Sequence, residues 1–375
     1  MYKLGIWRGE KMTRTRALLG KTRQFSYCLL KTGVHATPVD IARFETVIRT
    51  VQLSSGICRT TYSERFGDLD PLVQTVLKRI FPVDRPLIIH DLAASDCLLS
   101  MLWAKRIFEY FPAARMTASD VVLYFTEAVW NSGEAYILEP DGTPVQYTRA
   151  PFVVPLHVRE HAAYIVNTLV RTWARRHTRE VQSCASSVRW DGVPDYRVVN
   201  IGPWSLRQIP LVHPTALSFA QNGRFRVAHI DAFSELPLKC DVIRAMNLYQ
   251  PYALPIEQIR RGIHVALDAL RDGGVFVAGR TLEKAAQRND VTVFQKTRGR
   301  ADVVERLGKG FEFEGLATEY ASDQRLAPGH TSAASDCEVG RGDNSAAHSE
   351  IAVSSKRAVP AAARPCTDQV ASSPG

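Results

Sequence analysis

Closely spaced cysteines are missing from this chain of 375 residues. Its seven cysteines (Cys28, Cys58, Cys97, Cys184, Cys240, Cys337 and Cys366) form no Cys-x-x-Cys pair, which argues against a zinc module or a disulfide framework. That usage fits a reducing cytoplasm, where this protein is expected. No run of about 18 apolar residues occurs, so no membrane-spanning helix is expected. The opening residues lack the apolar stretch and small-residue cleavage site of a secretory signal, and Met12, ahead of a basic stretch, is an alternative start. A Gly-x-Gly-x-x-Gly turn after the first strand-like run is also lacking, which counts against a nicotinamide-dependent oxidoreductase. With 45% hydrophobic and 23% charged residues, the composition excludes collagen-like, coiled-coil and wholly disordered chains. Lys and Arg outnumber Asp and Glu by 47 to 38, yet they are dispersed, apart from one denser run between Arg171 and Arg189. Solvated basic surface is the simpler reading, so nucleic acid is not the expected partner.

What is present is an alternation. The first 36 residues are basic and weakly patterned, and read as a loose arm. Thr37 and Pro38 then open a helix, the first as N-cap and the second at the first helical position. A second helix is expected over Asp70 to Phe81, completing an N-terminal helical region at 37–85. From Leu87 the text changes to short apolar runs that end in acids: Leu87 to Asp91, Arg115 to Asp120, and Arg226 to Asp231. Cys240 to Met246 and Val275 to Gly279 read as further strands. Helices are expected at Cys97 to Phe111 and at Pro255 to Arg271, the latter stopped by Asp272-Gly-Gly274. Val291 to Gln295 and Gly310 to Gly315 read as a closing antiparallel pair. Strands alternating with helices imply an α/β fold, with a mainly parallel, twisted sheet covered on both faces. From about residue 321 the sequence is rich in Ala, Ser, Gly and Pro and reads as a disordered tail.

Between Asp120 and Phe225 lie roughly a hundred residues, too many for an ordinary crossover. This inserted α+β block, at about 125–222, carries a hairpin signal in Tyr136-Ile-Leu and Val145-Gln-Tyr-Thr, either side of Glu139-Pro-Asp-Gly-Thr-Pro144. A helix follows with Val158, Ala162, Ile165, Val166, Leu169 and Trp173 as its apolar stripe. Its basic end, Arg171 to Arg179, complements the helix dipole, and also leaves open a surface for an anionic substrate, a lipid headgroup or nucleic acid.

Ligands of an open parallel sheet bind at the carboxyl ends of its strands, so acids there can meet a nucleoside. In their order, Ile89-His-Asp91-Leu-Ala93-Ala-Ser95-Asp96-Cys97, Thr117-Ala-Ser-Asp120, Val227 to Phe233, Cys240 to Asn247 and Ala269 to Val277 resemble the class I S-adenosylmethionine-dependent methyltransferases. The resemblance covers roughly residues 86–316 outside the insertion and implies a Rossmann-like domain at 86–320. More faintly, the Asn247 region is similar to chemotaxis-receptor glutamate methyltransferases, although the aromatic position of that group falls on Pro251. One departure is plain: Ala93, Ser95 and Cys97 stand where the family usually has glycines, whose backbone angles larger residues disfavour.

The resemblance implies S-adenosyl-L-methionine as cofactor and no metal. By it, Asp91, Ala93, Ser95 and Asp96 line the methionine end, Asp120 holds the ribose, and Asp231 takes the adenine amine. Ala232 and Phe233 pack on the adenine ring, and Asn247 faces the transferred methyl. Tyr249 and Tyr252 are catalytic candidates by position only, because methyl transfer to an existing carboxylate needs orientation more than a base. The acceptor is expected to be small or lipid-like and anionic, methylated on oxygen or nitrogen and recognised by the inserted block. Contact with a membrane surface remains compatible with the basic end of the inserted helix. The alternatives are a non-catalytic binding protein on a decayed methyltransferase frame, and a nucleic-acid methyltransferase.

Overall fold

The computed structural model describes residues 5–6, 24–32, 35–59, 61, 63–149, 152–157, 165–190, 194, 196–282 and 288–324. Most of the expected arm, the first part of the insertion's helix and the tail beyond residue 324 lie outside them. In chain order come β1 (Gly5–Ile6), β2 (Gln24–Phe25), α1 (Pro38–Ile48), α2 (Leu69–Ile80), β3 (Ile88–Leu92), α3 (Leu98–Tyr110) and β4 (Arg115–Asp120). The inserted block supplies β5 (Tyr124–Trp130), β6 (Ala135–Leu138), β7 (Pro144–Arg149), β8 (Phe152–Pro155), α4 (Ile165–Arg175), α5 (Thr178–Ser187), β9 (Val198–Ile201) and β10 (Trp204–Pro210). The chain then returns through α6 (Pro214–Ala220), β11 (Phe225–His229), β12 (Cys240–Met246), α7 (Ile256–Ala269), β13 (Leu270–Leu282), β14 (Arg288–Thr297), β15 (Arg300–Leu307) and α8 (Glu314–Gln324).

Seven strands form the main sheet, in the order β11-β4-β3-β12-β13-β14-β15. The first five run parallel, and β14 is antiparallel to both its neighbours. This is the α/β architecture expected from the alternation. One face of the sheet buries Val73, Leu77, Met101, Trp103 and Ile107 of α2 and α3. The other buries Ile259, Ile263 and Leu267 of α7, together with Ala317 and Tyr320 of α8. Each of the three α7 side chains, spaced for one helical stripe, is fully buried and contributes about 1.5–3 kcal/mol.

The insertion is a second, antiparallel sheet in the order β8-β7-β6-β5-β10-β9. Phe125, Ile137, Val145 and Ile209 point to one side, where they meet α1. Ala128, Tyr136, Tyr147 and Leu206 point to the other, against Ala174, Val181 and Ala185 of α4 and α5. This alternation along each strand makes the sheet a sandwich filling.

Several expectations need correction. The loose arm ends before residue 36: Tyr27–Leu30 form a buried 3₁₀ turn, with Tyr27 stacked on Phe125 at 5.6 Å. Four consecutive side chains that can be buried, beside a sheet face lacking cover, explain it. The partner of β14 is β15, not Gly310 to Gly315, because Arg298 and Gly299 both take positive φ (52° and 74°) and close a two-residue hairpin. Phe311 and Phe313 instead pack in the core beside α8. Helix α7 ends at Ala269, before Asp272-Gly-Gly274, and Gly273 (φ 78°) lies inside β13, where a register shift faces Cys240. Finally, two members of the expected apolar stripe, Leu169 and Trp173, are 65% and 40% exposed, while Ala174 is buried; the side chains at 158, 162, 165 and 166 lie outside those described. The basic cluster is also divided, since Arg171 is buried and donates from Nε and Nη2 to the Pro155 carbonyl.

Candidate functional site

The carboxyl ends of β3, β4, β11 and β12 meet at the β3–α3 loop, as the strand order requires. In that loop Ala93, Ser95 and Cys97 all hold left-handed backbone angles, with φ of 54°, 55° and 61°. These are the three alternating positions at which glycine was expected from the resemblance. The backbone here takes angles that glycine adopts freely while carrying side chains, at a cost of about 1–2 kcal/mol per residue. Three hydrogen bonds over-determine the loop. The Ala94 N–H donates to the Ser119 carbonyl at 2.8 Å, Ser95 N–H to Asp120 Oδ2 at 2.8 Å, and Cys97 N–H to the Ala94 carbonyl at 2.9 Å.

Asp91 does not face an open cleft. It is buried and takes a two-pronged ion pair from Arg244, with Nε 2.9 Å from Oδ1 and Nη2 2.5 Å from Oδ2. Ser100 Oγ adds a third bond at 2.5 Å. Arg244, in the middle of β12, also reaches Asp70 on α2 at 3.1 Å and lies over the Trp103 ring at 4.0 Å. Burial pushes the Asp70 carboxyl up, against the pull of Arg244 and Arg106. The result is a buried clamp joining β3, β12, α2 and α3.

Asp120 is also engaged. Its Oδ1 accepts from Arg59 Nη2 and from the Val122 N–H, both at 2.9 Å, and its Oδ2 accepts from Ser95. Arg59 is 3% exposed and also donates to the Val122 carbonyl, yet its Nε and Nη1 have no partner among the described residues. Buried, half-satisfied guanidinium is costly, so this seat is a marginal one. Asp96 is buried beside it, its carboxyl pushed up by burial, and lines a cavity of about 80 Å³ with Thr61, Ser63, Leu98 and Arg49.

The remaining candidates are spread around this centre. Asp231 is exposed and holds its own turn, accepting from the Phe233 N–H at 2.9 Å and Ser234 Oγ at 3.3 Å. Ala232 is buried, and Phe233 meets Tyr249 edge-on at 6.5 Å. Gly262 of α7 makes that contact possible, because a Cβ there would lie 2.7 Å from the Phe233 ring. Asn247 (φ 58°) ties β12 to β13: its Oδ1 accepts from the Thr281 N–H at 2.8 Å. Tyr249 is buried, its hydroxyl has no partner among the described residues, and burial raises its pKa, so the phenol stays protonated. Tyr252 is 68% exposed. Sequence reading missed Arg59 and Arg244. Two charged residues, Asp241 and Arg244, inside a run with five apolar ones at Cys240–Met246 were a signal for Arg244; Arg59, 61 residues from Asp120, left none.

No protein-family model matches the chain, and no curated protein does. Among solved structures, similarity extends to an O-methyltransferase from Nostoc punctiforme PCC 73102, described there as putative, with 12% identity, 64% of this chain and 40% of that one covered, and a TM-score of 0.26. A sugar N-methyltransferase from Streptoalloteichus sp. ATCC 53650 shows 11% identity over 67% of this chain and 76% of its own, at a TM-score of 0.27. A [4+2]-cyclase shows 14% identity over 58% and 47%, at 0.24.

The site fits S-adenosylmethionine in part. Backbone shape fits at the loop. Charge fits at Asp120 only when Arg59 leaves it, and a cavity of about 80 Å³ is well below the roughly 300 Å³ at which ligand pockets begin.

Proposed function

We propose that this protein is an S-adenosylmethionine-dependent methyltransferase in whose cofactor site Arg59 competes for Asp120. The observation that carries this reading is the β3–α3 loop, which holds three non-glycine residues at positive φ in alternation. Strain of that kind persists only where surroundings enforce it, and it concentrates at ligand sites. The bound cofactor would supply an electrophilic methyl group on a sulfonium. Ala93 and Ser95 would line its amino-acid end, and Asp120 would accept from the ribose hydroxyls. Ala232 and Phe233 would pack beside the adenine, with Asp231 at the exposed rim. Asp91 takes another part: paired with Arg244, it anchors the loop from below.

No base is assigned. Tyr249 is held protonated by burial, so it can orient or exclude water but cannot abstract a proton near neutral pH. That points to an acceptor whose oxygen or nitrogen is already nucleophilic, such as a carboxylate, in keeping with a small or lipid-like anionic substrate. The test is transfer of labelled methyl from S-adenosylmethionine to a panel of aromatic and fatty acids, with Asp120→Asn as comparison. Incorporation that the variant loses while remaining folded supports the reading.

A second reading is favoured by the Arg59–Asp120 and Arg244–Asp91 pairs. Both acids are satisfied within the protein, as in a methyltransferase frame turned to non-catalytic binding. Folded wild-type protein that binds neither S-adenosylmethionine nor S-adenosylhomocysteine would favour this alternative.

A further inference from the structure

In the main sheet, one crossover lacks its helix. Residues 230–239, which join β11 to β12, contain no helix or strand, whereas α3 and α7 fill the links from β3 to β4 and from β12 to β13. β11 is also an edge strand. The missing cover leaves a cavity of about 530 Å³ beside β11, within the range of small-molecule sites. It shares no lining residue with the β3–α3 loop.

Its walls have two characters. Arg226 and Ala228 lie on one face of β11, and Arg226 is in register with Thr117 of β4. From the inserted block come Arg189 and Trp190, and Leu238, 58% exposed, closes the apolar side. Among the described residues the lining contains two arginines and no acid. Neither the Arg189 nor the Arg226 side chain has an ion pair or hydrogen bond among the described residues, unlike Arg43, Arg85, Arg207 and Arg306, which pair with carboxylates. Two guanidinium groups at one cavity, with no carboxylate partner among the described residues, favour an anion. A planar indole and aliphatic side chains beside them suit an apolar body.

We propose that this cavity binds an amphipathic organic anion, a phosphate or carboxylate carried on an aromatic or short acyl body. Arg189 and Arg226 hold the charged end, and Trp190 and Leu238 cover the apolar end. The proposal does not rest on methyl transfer.

Calorimetric titration of the full chain with 1-naphthyl phosphate, without any methyl donor, tests it. Saturable binding is expected, weakened at least tenfold by the Arg189→Ala/Arg226→Ala double variant and by Leu238→Asp. Both arginines are exposed, so the double variant should keep its fold, which a thermal melt checks. Inorganic phosphate and 1-naphthol should each bind at least tenfold more weakly, since each lacks one half of the recognised chemistry. Replacing the probe by 1-naphthoate separates carboxylate from phosphate ligands, and an equal loss in the double variant with either anion supports the site. Absence of saturable binding by both anions, or wild-type affinity in a folded double variant, would overturn it.

Discussion

Arg59 Nη2 lies 2.9 Å from Asp120 Oδ1, so the carboxylate at the end of the second parallel strand is neutralised by a residue from the segment between α1 and α2. The pair is almost wholly buried, and the guanidinium uses only Nη2 among the described residues. A ligand offering two hydroxyls to Asp120 would compete with Arg59 directly. On the proposed function, cofactor affinity would depend on how firmly Arg59 is held at Asp120.

Arg244 holds two buried carboxylates at once, Asp91 and Asp70. Arg244→Met removes the cation, leaving, among the described residues, buried Asp91 with only the Ser100 hydroxyl and Asp70 with only the half-exposed Arg106. Loss of one partner of a buried pair typically costs about 3–5 kcal/mol. Urea unfolding should show a loss of this order; a change below about 1 kcal/mol would mean that the clamp does not support the fold.

Acidification should destabilise the protein in two stages. His90 is buried, its pKa is lowered to about 4 by that burial, and its Nε2 lies 2.8 Å from Ser119 Oγ. Below pH 6.5 the unfolded chain takes up a proton that the folded chain refuses, so stability falls as pH drops from 6.5 towards 4. The full effect is about 3 kcal/mol. Glu127 acts lower: burial alone would raise its pKa, but Lys31 and Arg207 hold it at about 2. Its contribution is present above about pH 4.5 and is lost as pH falls through 2. Urea midpoints of wild type and His90→Gln at pH 7 and pH 4.5 check the first stage, and the drop should shrink in the variant.

At Ala93 the backbone, not the side chain, is the strained element. Ala93→Gly relieves left-handed strain but gives the unfolded chain more freedom, so the net change should stay within about 1 kcal/mol. Ala93→Val places a β-branched residue at the same angles and should cost about 2 kcal/mol or more. Equal melting temperatures for the two variants would show that the loop does not hold these angles in solution.

Much of the frame was legible because parallel strands leave strong local marks. Apolar runs ending in Asp91 and Asp120 mark β3 and β4, and Ile259, Ile263 and Leu267 mark the buried stripe of α7. The insertion's hairpin was readable from its turn residues. Less was readable wherever distant residues decide the outcome. The Tyr27–Leu30 turn is held by a sheet about a hundred residues away, with Tyr27 N–H donating to Gln146 Oε1 at 2.8 Å. Leu169 and Trp173 match a helical period, yet tertiary packing chose the Ala174 face of α4. For the site, the sequence pointed to the Ala93–Cys97 loop and to Asp120; the cations that occupy the acids come from segments 61 and 153 residues away.

The most direct test of a cofactor site in which Arg59 competes for Asp120 is calorimetric titration of wild type and Arg59→Gln with S-adenosylhomocysteine, each checked for folding. The expected result is measurable binding by wild type and at least tenfold tighter binding by Arg59→Gln, because the competing ion pair is gone. Absence of binding in both folded proteins would contradict the methyltransferase reading, and equal affinity in both would contradict the role given to Arg59.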